Sequence, residues 1–444
     1  MASAPQPAEE RSYLWFMASA LVLTLVAGLT LPFLIAAGER GVAPWSLRLD
    51  SLIQAHGALQ LQGWAGLVVA GMGLRMVPRL AGRRPMPRMV TLSILVLMLL
   101  GVLLRTAAQT FVPMALAGTL LLGGAMSSGI GMLAFAIAAA WTLAIRRVTQ
   151  SWALATWAAC VWWSIWAAVT VYGAMASSDG ILPSAVNGAA NWIGLLGAVG
   201  NFVWAVQSRS VPVFYGRQPP SVSRFAPPLA LYNLGIAAIA ISLISTLGGS
   251  VLPGLGLVAV GLGAAWLAPI AGSIGGTARR LRPASQPAAA FIIAANLWAV
   301  AAGVLMIAGG VLGLATGQPP TARLRDATYH AFAIGVVTIL IVGMAQVITP
   351  VFAIQRARLR TTATMANSVA LFTLVGATAV RAIAGALSGA VSAQTWAALI
   401  AVAGTLAWIG LAAFAFGMGT SWLRQDRLKV ELVAKALDKK SRGT

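Results

Sequence analysis

The chain has 444 residues, of which 59% are apolar and only 9% charged, and its mean hydropathy is +0.85. A soluble domain needs far more charge, so the composition excludes a water-soluble globular protein and points to a polytopic membrane protein. The net charge of +21 does not imply nucleic acid, because the Lys and Arg residues fall in short loops between apolar runs, where they hold loops in the cytoplasm. The single cysteine, Cys160, lies inside an apolar run. Disulfides, iron–sulfur clusters held by cysteines and thiolate copper sites are therefore not expected.

The first apolar run, about 13–37, follows a polar start and is too long for a signal-peptide core, so it reads as a retained first helix. A helix needs about 20 apolar residues to cross the hydrocarbon. That rule predicts twelve spans: 13–37, 52–78, 89–107, 112–144, 151–176, 186–208, 228–247, 251–275, 287–313, 327–353, 364–389 and 394–420. Every alternate loop is rich in arginine: Arg79, Arg83, Arg84 and Arg88, then Arg146 and Arg147, then Arg209, Arg217 and Arg224. Arg279, Arg280 and Arg282 follow, then Arg356, Arg358 and Arg360, then the tail. The other loops hold Glu39, Asp50, Asp179 and Asp326. By the positive-inside rule both termini are cytoplasmic, in a bacterial inner membrane. Residues 1–424 form one transmembrane domain. Residues 425–444 form a basic tail, either solvated or an amphipathic helix suited to anionic headgroups.

An internal repeat runs through the spans. Pro78, Pro212 and Pro350 each close one, and counted back from them Gly63, Gly197 and Gly335 coincide, as do Gly71, Ala205 and Gly343. R-x-x-P-x-x-x-G-R occurs at 75–83 and again at 209–217. The expected architecture is all-α, about twelve helices in three pseudo-repeated sets of four, with small residues where helices pack closely in lipid.

All nine carboxylates read as loop or tail residues, so none is expected to relay protons across the membrane or to pair with a buried cation. The ionisable groups inside spans are His56, His330, Arg75, Arg105 and Arg381. Only two histidines occur in the chain, each just inside the start of a span and each a little beyond an acidic residue, Asp50 or Asp326. Neutral imidazole suits haem iron, and equal depth is what one macrocycle ligated from both faces demands. The competing reading is a pair of hydrogen-bonded core histidines with no metal. Arg105 and Arg381 fall near the same level. They read equally as partners of haem propionates and as side chains reaching for headgroups. Gln54, Gln60 and Gln62 read as polar contacts between helices, the Trp-rich run 152–166 as packing or lipid-facing, and 123–132 as tight helix packing. The methionines show no pattern.

Three stretches, AHGALQLQGWAGLVVAGMGLRMVPRL, SRSVPVFYGRQPP and LRDATYHAFAIGVVTILIVGMAQVITPVF, resemble the NnrS-like membrane proteins. That family is a side branch of the large subunit of haem–copper oxidases and nitric-oxide reductases. The resemblance implies that His56 and His330 are the axial ligands of a low-spin haem b. It also implies a role in nitric-oxide stress or respiratory electron transfer, with a redox partner in the membrane. The position of the oxidase's high-spin haem ligand is Thr328 here, and the spans that supply its copper histidines contain none, so neither a copper site nor an oxygen-reducing enzyme is expected. The rival class is a cofactor-free carrier or a scaffold subunit of a respiratory complex. Against a carrier stand the lack of buried carboxylates and of broken helices.

Overall fold

The structure, a computed structural model, describes residues 12–41, 48–110, 114–146, 149–177, 179–245, 249, 251–272, 288–353, 360–387 and 389–441. Glu9, Glu10, Arg147, Arg279, Arg280, Arg282, Arg356 and Arg358 lie outside these residues. Among the described residues there are helices and no strands. Among the described residues, eleven helices are long and apolar enough to cross a membrane, which makes the chain a multi-pass membrane protein.

In chain order these are α1 (Tyr13–Glu39), α3 (Arg88–Thr110), α4 (Ala115–Ile145), α5 (Ser151–Met175), α6 (Ser184–Phe214) and α7 (Val222–Ile244), followed by α8 (Val251–Ala271), α9 (Ala289–Thr316), α10 (Ala322–Val347), α11 (Met365–Ala386) and α12 (Ala393–Gly419). Between the first two lies α2, residues 49–80, helical throughout. It is long enough to span, but Gln54, His56, Gln60, Gln62 and Arg75 make it more polar than the others, so it stands apart from the eleven. The helix of α12 runs on through the basic tail to Ser441.

The centre is built from α2, α6 and α10. The most apolar stretches of α6 and α10 are 89% and 72% buried, against 39–56% for the other spans, so these helices are ringed by protein and the rest face lipid on one side. Each central helix contains a π-helical segment: Leu59–Gly66, Ile193–Gly200 and Ala333–Thr338. The first two are 134 residues apart, the spacing of Pro78 and Pro212. The wider turns meet at the axis, where Trp64 Nε1 donates to Thr338 Oγ1 at 3.0 Å.

Small residues set how closely the outer helices approach. A Cβ added at Gly71 would lie 2.5 Å from Phe16 Cβ of α1, and one at Gly343 would collide with Phe291 of α9. At the other repeated position, a Cβ on Gly197 would sit 2.8 Å from Trp162 of α5 and one on Gly335 2.7 Å from Trp298 of α9. Thus α1, α5 and α9 each lie against a notch in the central helix that follows them. The repeated R-x-x-P-x-x-x-G-R is a helix end: Arg83 N and Arg217 N donate to the carbonyls of Pro78 and Pro212 at 2.7 Å, across Gly82 and Gly216 at φ 66° and 70°. That left-handed backbone is what glycine supplies at a helix C-terminus.

The run 123–132 packs as expected. Gly124 and Gly131 face α3, leaving no room for a side chain beside Gly101 and Met98. Trp152, Trp163 and Trp166 are core residues, while Trp157 is exposed. Met17, Met72, Met76 and Met344, which showed no pattern in sequence, line one small apolar pocket between α1, α2, α6 and α10.

Candidate functional site: two facing imidazoles

The structure brings the two histidines together. His56 of α2 and His330 of α10 have ring centroids 6.5 Å apart and ring planes within 15° of parallel. Each ring is oriented through Nδ1. His56 Nδ1–H donates to the Gly28 carbonyl of α1 at 2.8 Å, and His330 Nδ1–H donates to the Asp326 carbonyl one turn earlier at 2.9 Å. A carbonyl can only accept, so each Nδ1 carries a proton, and in the neutral ring Nε2 is then the nitrogen with a free lone pair. Gly28 O is available because it lies where the π-helical turn Thr24–Gly28 ends.

Around His330 stands an ion triad. Asp326 Oδ1 is 3.3 Å from His330 Nδ1, and its Oδ2 pairs with Arg381 of α11. This corrects the expectation that every carboxylate lies in a loop or tail and that none meets a buried cation. Asp326 is within α10, and Arg381 is 7% exposed. It also overturns the headgroup reading of Arg381, whose guanidinium is turned inward and lies over the Trp396 ring at 5.0 Å from its centroid. Arg381 Nε and Nη1 have no hydrogen-bond partner, so part of its donor fork is unused.

Arg105 does not reach for headgroups either. It is 4% exposed and donates to two neutral amides, Gln109 Oε1 at 3.4 Å and Asn187 Oδ1 of α6 at 3.2 Å. The glutamines act as contacts between helices: Gln54 accepts from Gln109 Nε2 at 2.9 Å and donates to the Leu182 carbonyl at 2.8 Å, and Gln60 accepts from Thr24 Oγ1 at 2.9 Å. Arg48 serves the surface, paired with Asp179 at 2.7 Å, and this partner draws the Asp179 carboxyl below its ordinary pKa. Thr328 is buried and donates to the Leu324 carbonyl at 2.9 Å.

The site keeps some open surface. His330 and Asp326 sit among the helices yet keep 22% and 28% of their side-chain surface accessible. Beside His56, a Cβ on Gly57 would meet nothing nearer than Asn191 at 4.0 Å. Tyr329, next to His330, packs against Trp192 of α6 with ring centroids 4.5 Å apart and planes tilted by 40°. Gly28, Asn187 and Trp192 are members of this site that sequence reasoning did not select. A backbone acceptor carries no side-chain signal, and the α6 residues arrive from more than 100 positions away.

Among the described residues, no group of three or more His, Cys, Asp or Glu is placed to hold a bare metal ion. No protein-family model matches the chain, and no curated protein matches it.

Proposed function

We propose that this chain is a membrane-embedded haem protein in which His56 and His330 ligate one b-type haem from opposite faces. It would carry electrons in a respiratory or nitric-oxide-stress setting, within the architecture the sequence resembles. One observation carries the reading: two nearly parallel imidazoles 6.5 Å apart, each with Nδ1 tied to a backbone carbonyl. Two metal–imidazole bonds of about 2 Å each, with the ring radii added, come to roughly 6 Å between ring centres. A backbone carbonyl hydrogen-bonded to the far nitrogen is a usual way to fix a ligating histidine.

The residues present suit the group in charge as well as in donors. The two ring nitrogens of His56 and His330 would hold the iron of a haem. Arg105, with neutral partners only, and the unused Nε and Nη1 of Arg381 suit the two propionates. When bound, a haem would supply one-electron chemistry. The chain's own part is orientation and charge. Asp326 and Arg381 fix His330 through a carboxylate as well as a carbonyl, whereas His56 rests on the Gly28 carbonyl alone. His56 is therefore the imidazole held by fewer contacts of the two.

The test is haem content. Full-length protein purified from haem-replete cells is expected to hold close to one haem per chain, with a reduced low-spin spectrum. His56→Ala and His330→Ala are expected to lose it while remaining soluble in detergent and helical by circular dichroism. A colourless wild-type protein, or full occupancy in both variants, overturns the proposal and leaves a cofactor-free carrier or scaffold.

A further inference from the structure

Arg105 is a buried cation whose acceptors carry no charge. It is 4% exposed, and it donates to two neutral amides, Gln109 Oε1 and Asn187 Oδ1. The arginine also fixes how those amides are turned. A guanidinium only donates, so each amide presents its oxygen to it and keeps its NH2 group for another partner. For Gln109 that partner is Gln54 Oε1 at 2.9 Å, and Gln54 donates in turn to the Leu182 carbonyl at 2.8 Å. For Asn187 there is none: among the described residues its Nδ2 makes no hydrogen bond, and the side chain keeps accessible surface.

Asn191, one turn further along α6, is a second such group. Neither end of its amide is hydrogen-bonded among the described residues, and it too is only partly buried. That is unusual on α6, where Ala189, Ala190 and the whole run 192–205 are buried. Asn191 faces α2, since a Cβ built on Gly57, the neighbour of His56, would lie 4.0 Å from both its Nδ2 and its Oδ1. Between the two asparagines, the Gly188 carbonyl accepts from the Tyr329 hydroxyl of α10 at 3.5 Å. Asn187 and Asn191 therefore stand at the level of the imidazoles, on the one central helix that carries no histidine.

The donors here outnumber the acceptors. A buried positive charge is normally met by an anion, and a carboxylate accepts from guanidinium and amide N–H groups together. Among the described residues no carboxylate pairs with Arg105: Asp326 is engaged by Arg381 and His330, and Asp179 by Arg48.

We propose that Arg105, Asn187 and Asn191 form a carboxylate-recognition edge of the imidazole site. It selects a haem with free propionates over the same macrocycle with its carboxylates masked. The inference rests on the haem reading and adds to it the two residues of α6 that set specificity. Arg105 supplies the charge, and the amide groups of Asn187 and Asn191 supply neutral donors beside it.

Full-length apoprotein, purified in detergent from cells deprived of haem, is titrated with iron protoporphyrin IX and with its dimethyl ester. The ester has the same iron and ring but no free carboxylate. Partition into detergent is common to all variants, so the readout is the ratio of the two affinities. Asn187→Leu/Asn191→Leu is expected to lower the preference for the free acid roughly tenfold or more, the worth of a hydrogen bond to a charged group, while binding the ester as wild type does. Asn191→Asp keeps the shape of a side chain that has no partner to lose, and its negative charge is expected to lower the preference further. Arg48→Gln, in the surface pair with Asp179, is expected to leave the ratio unchanged. A ratio unchanged in both asparagine variants overturns the carboxylate edge and leaves the haem reading standing. A wild type that binds neither compound overturns both.

Discussion

Replacing Asp326 by alanine tests the ion triad that positions His330. The substitution removes the carboxylate that Arg381 faces and leaves a guanidinium at 7% exposure with only the Trp396 face and three unpartnered nitrogens. Breaking a fully buried pair by removing one partner costs about 3–5 kcal/mol. Asp326 keeps 28% side-chain accessibility, so water recovers part of that loss, and about 2–3 kcal/mol is the expected destabilisation. Replacing both partners, as Asp326→Ala/Arg381→Leu, removes the stranded charge and is expected to recover most of the loss. The assay is the thermal unfolding midpoint of the full-length protein in one detergent. The order expected is wild type, then the double variant, then Asp326→Ala. If the double variant is less stable than wild type by the sum of the losses of Asp326→Ala and Arg381→Leu taken singly, the pair is not coupled and the reasoning fails.

Three further outcomes follow from the same geometry. Arg105→Leu removes a positive charge buried among neutral amides, and if it faces a propionate the reduction potential of the haem falls, as read by spectroelectrochemical titration; an unchanged potential separates Arg105 from the cofactor. Gly71→Leu and Gly343→Leu drive side chains into Phe16 and Phe291 and are expected to cost at least about 1–3 kcal/mol each, seen as lower yield and midpoint; tolerance at both positions contradicts the close approach of α1 and α9. For Asp179, the Arg48 hydrogen bond lowers the folded-state pKa, so its stabilisation is complete above the ordinary carboxylate pKa and is lost as pH falls through the lowered value. Both partners are partly exposed, which limits the effect to about 0.5 kcal/mol. The midpoint difference between wild type and Asp179→Asn is therefore expected at pH 7 and to vanish in acid, whereas a difference that grows in acid contradicts the sign.

Much of this arrangement is legible in the chain because the relevant residues are scarce. With two histidines in 444 residues, both early in long apolar runs, the pairing of α2 with α10 follows from topology. The repeat is legible too, since Gly63, Gly71 and their counterparts mark where neighbouring helices press closest, and the motif around Pro78 and Pro212 marks a glycine-closed helix end. The position of Asp326 was not legible. It lies four residues before His330, where the apolar run has not begun, and only the pairing with Arg381, 55 residues on, shows that it lies inside. Nor was the role of Gly28, which acts through its carbonyl, or the gathering of four methionines from three helices, which no spacing along one helix reveals. The polarity of α2 has the same origin. Its glutamines, histidine and arginine face protein partners rather than lipid, so hydropathy alone undervalues a helix that lies at the centre.

The most direct test of the central claim is the low-temperature electron paramagnetic resonance spectrum of the oxidised, full-length protein. Two axial imidazoles whose planes lie within 15° of parallel predict a rhombic low-spin ferric signal, absent from His56→Ala and His330→Ala. A protein with no ferric signal, or one whose signal is high-spin or survives loss of either histidine, contradicts the account.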